Sequence, residues 1–173
     1  AVAVVSGCFR GRDLAEAASH TVHVGFVVDA EGIDIDQVVV TLFRAPRSVT
    51  GEDVVEVACH GGDFASQLIL QRLVGAGARL AQPGEFTQRA FLNGKMDLAQ
   101  AEAVADLIHA SSSLAHRVSL SHLRGRYSDV LQRLRDELLE TCAFVELELD
   151  FSEEDVAFAD PGRLAALLDG AAR

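Results

Sequence analysis

Apolar and polar positions follow two different periods along this 173-residue chain. Up to about residue 95, short β-branched runs alternate with helical patterns. Residues 22–28 predict a strand, Asp29-Ala30-Glu31-Gly32 a hairpin-like turn, and residues 38–43 a second strand. A third strand is predicted over residues 54–59, entered through Thr50-Gly51-Glu52-Asp53. Gly61-Gly62-Asp63 then opens a helix with Phe64, Leu68, Ile69, Leu73 and Val74 as its apolar stripe, ended by Gly75-Ala76-Gly77. A short strand around Arg79 and Leu80, the breaker Gln82-Pro83-Gly84 and a short helix over residues 85–92 follow, closed by Asn93-Gly94.

From Asp97 onward the period is almost entirely helical. Asp97 is placed as an N-cap with Gln100 as its capping-box partner, and Leu98, Ala101, Ala105 and Ile108 repeat at helical spacing. Ser111-Ser112-Ser113 reads as a break or as a polar face. A second long helix is expected to run to about Leu149, with Leu120, Leu123, Leu131, Leu134, Leu138 and Val145 near one face. Gly125 would sit inside it at a modest local cost. Asp150-Phe151-Ser152-Glu153-Glu154 breaks the pattern, and Asp160-Pro161 reads as N-cap plus first residue of another helix, which reaches Arg173 without a stop signal. Long amphipathic helices with so few partners predict further bundle members and a longer chain.

Composition narrows the class. With 49% hydrophobic and 24% charged residues the chain reads as globular, and its apolar runs are too short to cross a bilayer. The apolar residues 1–5 lack the basic stretch and cleavage site of a signal peptide. Cys8, Cys59 and Cys142 are widely separated and odd in number, which gives neither a disulfide framework nor zinc spacing and suits the cytoplasm. A net charge of −11 argues against a module that grips nucleic acid unaided, because neutralising phosphates takes clustered Lys and Arg.

Taken singly, the chemistry-bearing residues admit bland readings. Glu56 stands among Val54, Val55, Val57 and Ala58. If buried it needs a flat pair of N–H donors such as a guanidinium or a pterin edge, and otherwise it faces solvent from a one-sided sheet, the commoner outcome. Lys95, in the joint Asn93-Gly94-Lys95-Met96-Asp97, meets either an anionic ligand group or only water. Cys59-His60-Gly61-Gly62 joins a strand to a helix but is no Walker loop and no metal site. Ser152-Glu153-Glu154-Asp155 lacks the ligand alternation of a calcium loop, and Cys142 reads as a packed thiol.

A longer string is more specific. Residues 84–108, GEFTQRAFLNGKMDLAQAEAVADLI, resemble the signature of the MnmE (TrmE) tRNA-modification GTPases. So do the upstream FRAPRSVTGEDVVE of residues 43–56, the Cys59-His60-Gly61-Gly62 that follows, and ELDFSEEDV of residues 148–156. These stretches occur in the family's order over roughly residues 36–170.

The resemblance implies an α+β N-terminal domain, a mixed sheet with helices related to the folate-binding aminomethyltransferases, followed by an all-α helical-bundle portion. It places a tetrahydrofolate-binding and dimerisation domain at residues 1–95 and part of the helical domain at 96–173. It also implies a tetrahydrofolate cofactor such as 5-formyltetrahydrofolate, with Glu56 and Lys95 as the cofactor contacts in this chain. The family acts on tRNA as a cytoplasmic homodimer. With the flavoprotein MnmG (GidA), in a heterotetramer, it adds an aminomethyl-type group at C5 of the wobble uridine, driven by GTP hydrolysis that uses Mg2+ and K+. No membrane partner is implied.

The chain also departs from that pattern. The family arginine that precedes Ser-Gly and also contacts folate is Val4 here, in Val4-Val5-Ser6-Gly7, and the family's helix soon after is replaced by a quick passage from Cys8-Phe9-Arg10-Gly11 to Asp13. No P-loop and no Asn-Lys-x-Asp guanine-reading motif occurs in these 173 residues, so no catalytic residue is assigned. The expectation is therefore part of a longer tRNA-modifying GTPase. The alternatives are a G-domain-free folate-binding adaptor and a lone aminomethyltransferase relative, and the signature helix and acidic turn speak against the last.

Overall fold

The computed structural model describes residues 1–150 of the chain, and the expected breaks and helix beyond Asp150 lie outside the described residues. Two compact units result, Ala1–Asp97 and a second beginning at Leu98.

The first unit is α+β. After α1 (Val2–Ser6), four strands β1 (Phe9–Arg10), β2 (Thr21–Val28), β3 (Asp34–Phe43) and β4 (Val54–Ala58) form one sheet in chain order. All three pairings are antiparallel. Asp29 makes the β2–β3 turn: its carboxylate accepts from the backbone N–H groups of Glu31 and Ile33, so the chain reverses without orphaned donors.

Alternation sorts the sheet into two faces. Val27, Val38, Val40 and Leu42 are buried with Leu14, Cys8, Val2, Val5 and Ile69, and Val55, Val57 and Leu73 pack against them. On the opposite face, Val22, Val24 and Val39 are exposed. The sheet is thus one-sided, covered by helix α2 (Asp63–Gly75). Arg72 fixes α2 to the sheet by donating from Nε to the Val28 carbonyl and from Nη2 to the Gly7 carbonyl. Phe64, expected on the buried stripe of α2, is 77% exposed, because Ile69 and Leu73 one and two turns later carry the contact with the core.

The expected strand at Arg79 and Leu80 does not form; the segment is irregular. Instead the Arg79 guanidinium binds the Leu80 carbonyl and the carboxylate of Glu85, the first residue of α3 (Glu85–Leu92).

The second unit is all-α over its described part, with α4 (Leu98–His109), α5 (Ser113–Leu123) and α6 (Arg126–Asp150). The serine run is a true break: Ser112 caps α5 by accepting from the Ala115 N–H at 3.1 Å. The expected second long helix is two helices, because Gly125 adopts φ +84°. That left-handed backbone cannot continue an α-helix and is open to glycine at little steric cost. The Gln100 side-chain amide donates to the Leu123 carbonyl at the end of α5, 3.0 Å away, tying α4 to this break.

Candidate functional site

The site is built around the loop from Arg44 to Asp53, which delivers the chain into β4. Its two ends are held together. The Asp53 carboxylate accepts from the Ala45 N–H at 2.9 Å and from Arg44 Nη1 at 3.3 Å, and these donors, the backbone N–H foremost, hold the Asp53 carboxyl below its ordinary value. Arg44 Nη2 also donates to the carbonyls of Leu14 and Ala15, both at 2.8 Å. Thr50, in mid-loop, is buried.

Glu56 lies directly downstream. Because β4 alternates, Val55 and Val57 turn to the core and Glu56 to the open face. It stands opposite Thr41, with Val22 next in the same row; Ala58, Val39 and Val24 make the adjacent row. Glu56 is exposed, and its carboxylate has no partner among the described residues. The one-sided-sheet reading thus describes its position, and both carboxylate oxygens remain available on a largely apolar surface.

Lys95 follows the α3 stop. Asn93 and Gly94 close the helix, and the Lys95 N–H returns to the Ala90 carbonyl at 2.8 Å. The ammonium donates to the Pro46 carbonyl at 3.1 Å, and the Asn93 amide donates to the Thr50 carbonyl at 2.8 Å. Lys95 therefore sits on the loop that leads into β4 and Glu56. No ion pair or hydrogen bond joins Glu56 to Lys95 themselves.

A cleft of about 410 Å3 opens on another side of this loop. Val4, Val5, Val55, Leu73 and Phe86 give it an apolar lining, and Glu52, Asp53, Arg79, Glu85 and Arg89 its charged part; neither Glu56 nor Lys95 lines it. Val4 contributes only a hydrocarbon surface there. The arginines that do border the cleft are engaged. Glu85 accepts from Arg79 and Arg89, and Arg89 Nη1 also reaches Glu52 at 2.9 Å. The Arg79 guanidinium, then the Gln82 N–H and Arg89, hold the Glu85 carboxyl down at about 2.

This network leaves little trace in the sequence. The only local signal for it is the Glu85–Arg89 pair, one helical turn apart.

The remaining candidates keep bland roles. His60 donates its N–H to Asp36 at 2.9 Å and its Nδ1 lies 2.7 Å from the same carboxylate, which lowers the Asp36 pKa through the His60 backbone N–H first. Cys59 packs against the core. Cys142, expected as a packed thiol, is exposed on α6. No described helix is long and apolar enough to cross a membrane.

Two family models match the chain. Residues 1–95 match "GTP-binding protein TrmE N-terminus" and residues 98–172 match "MnmE helical domain". Among curated relatives, the tRNA modification GTPase MnmE of Salinibacter ruber is 66% identical over 169 residues, covering 98% of this chain and 37% of the relative. That of Cytophaga hutchinsonii is 53% identical, covering 95% and 36%, and that of Bacteroides fragilis 54% identical, covering 92% and 34%. The chain spans little more than a third of the length of these relatives.

Proposed function

The chain belongs to the MnmE (TrmE) family of tRNA-modification GTPases, and we propose that its residues 1–95 are the tetrahydrofolate-binding and dimerising domain of such an enzyme and residues 96–173 part of its helical domain. The 66% identity carried through nearly the whole chain is the observation on which this rests. In the complete enzyme, a homodimer working in the cytoplasm with the flavoprotein MnmG, a G domain hydrolyses GTP with Mg2+ and K+. The product is an aminomethyl or carboxymethylaminomethyl group at C5 of the wobble uridine of tRNA. These 173 residues contain no P-loop motif and contribute the folate end of that reaction.

The residues fit the cofactor. Glu56 keeps two unshared acceptor oxygens beside Val22, Val24 and Val39, which suits the adjacent N–H donors and flat apolar face of a pterin. Lys95 uses one of three ammonium donors on Pro46, which leaves two for an anionic group of the ligand. The bound tetrahydrofolate supplies the one-carbon unit; Glu56 holds and orients its pterin, and Lys95 neutralises charge.

Nucleoside mass spectrometry tests the reading. The complete natural protein, expressed in a host whose own family member is deleted, should restore the modified wobble uridine, and Glu56→Ala should reduce it by at least about tenfold, a loss of the size expected for one charge-assisted contact. Restoration at full level by the Glu56→Ala protein would count against the pterin role.

A further inference from the structure

We infer that Asn93 is a positioning residue for Lys95, which it holds to the Arg44–Asp53 loop so that the ammonium is preset for its ligand; this deepens the folate reading above and rests on it. Lys95 is the only lysine among the 173 residues, and it belongs to a long, flexible side chain type that solvent alone would leave free to sample many rotamers. Two contacts restrain it. Its Nζ donates to the Pro46 carbonyl. Its stem passes close over Gly51: a Cβ built on that glycine would lie 3.2 Å from Lys95 Cγ and 3.3 Å from Cδ. The same point is 3.2 Å from Asn93 Cβ, so the backbone at residue 51 fits between the two side chains.

Asn93 closes the arrangement. Its amide donates to the carbonyl of Thr50, the buried residue next to Gly51, across 43 positions of sequence. That bond fixes the turn from which Lys95 projects to the loop on which the lysine lies. Gly51, at φ +78°, is required twice over, by its backbone conformation and by the space the lysine stem occupies. Asn93 does not itself line the cleft, and its bond to Thr50 lies one residue from the glycine under the lysine stem, so its contribution to binding is expected to pass through Lys95. A lysine already held in place loses less freedom on meeting its ligand, and that difference should appear in affinity.

A double-mutant cycle separates this from a merely structural role. 5-formyltetrahydrofolate is titrated calorimetrically into the complete natural protein, wild type and as Asn93→Ala, Lys95→Ala and the double variant, with thermal melts of each. Asn93→Ala should weaken binding by about fivefold to tenfold in the wild-type background and by less than about twofold where Lys95 is already alanine. Equal losses in both backgrounds, or no loss in either, would overturn the inference. If Asn93→Ala does not fold, Asn93→Ser, which keeps a shorter donor, is read in the same cycle. A wild-type protein that does not bind the compound would overturn the folate reading itself, whereas binding that depends on Lys95 and ignores Asn93 overturns only the positioning role.

Discussion

The two units of this chain use apolar residues differently. In the first, a one-sided antiparallel sheet buries Val27, Val38, Val40 and Leu42 against α2 and a loop that contributes Leu14, all at or below 1% exposure. In the second, among the described residues, the most buried positions are small or hydroxylic, Ala103, Ser119 and Thr141. Leu114, Val130, Leu131, Leu138, Leu139 and Val145 are meanwhile exposed. A sheet face closes with one helix laid over it, because its side chains all project in one direction. A helix presents a stripe to each neighbour, so α6 needs several to cover its own. The first unit therefore holds its core by itself, and the chemistry can be carried by residues such as Glu56 that project from its uncovered face.

The largest expected effect sets the cores apart. In the 173-residue chain, Leu42→Ala should destabilise the first unit by about 3 kcal/mol, whereas Leu138→Ala should change stability by less than about 0.5 kcal/mol, both read from urea denaturation. Comparable losses in the two variants would show that α6 is covered after all. A smaller effect is expected at the α5–α6 break: Gly125→Ala should cost about 1–2 kcal/mol, the strain of a Cβ at φ +84°. An unchanged or raised melting temperature would instead support one continuous helix.

The smallest effect is a pH dependence confined to the first unit. Glu85 has its carboxyl held at about 2, below the ordinary 4.5, by Arg79, the Gln82 N–H and Arg89. Its stabilising contribution is therefore complete above about pH 4.5 and is lost as the pH falls toward 2. The melting-temperature difference between wild type and Glu85→Gln should shrink over that interval; a difference constant from pH 7 to 2 would remove the ion network from the account.

How much could be read from the chain follows the same division. The pattern of β-branched runs located β2, β3 and β4, although β3 begins at Asp34, four residues ahead of the run that marks it. It could not find α1 or β1, which are too short to show a period. Nor could propensity show that Gly125 ends a helix, because a glycine tolerated at modest cost and one demanded by positive φ look alike in sequence. At the site, the outward setting of Glu56 was legible from its neighbours, and the joint holding Lys95 from Asn93-Gly94. The folate roles proposed for both rest only on the family signature. Contacts that depend on the chain returning to itself were invisible: Arg89 meets Glu52 across 37 positions and Asn93 meets Thr50 across 43.

The central claim is that the open face of the first unit holds a reduced folate through Glu56. Titration calorimetry with 5-formyltetrahydrofolate tests it most directly, on wild type and Glu56→Ala side by side, with Leu138→Ala as the control from the other unit. The account predicts saturable binding by wild type and Leu138→Ala and a loss of at least about tenfold in Glu56→Ala. Equal affinity for wild type and Glu56→Ala, or no binding by any of the three, would contradict it.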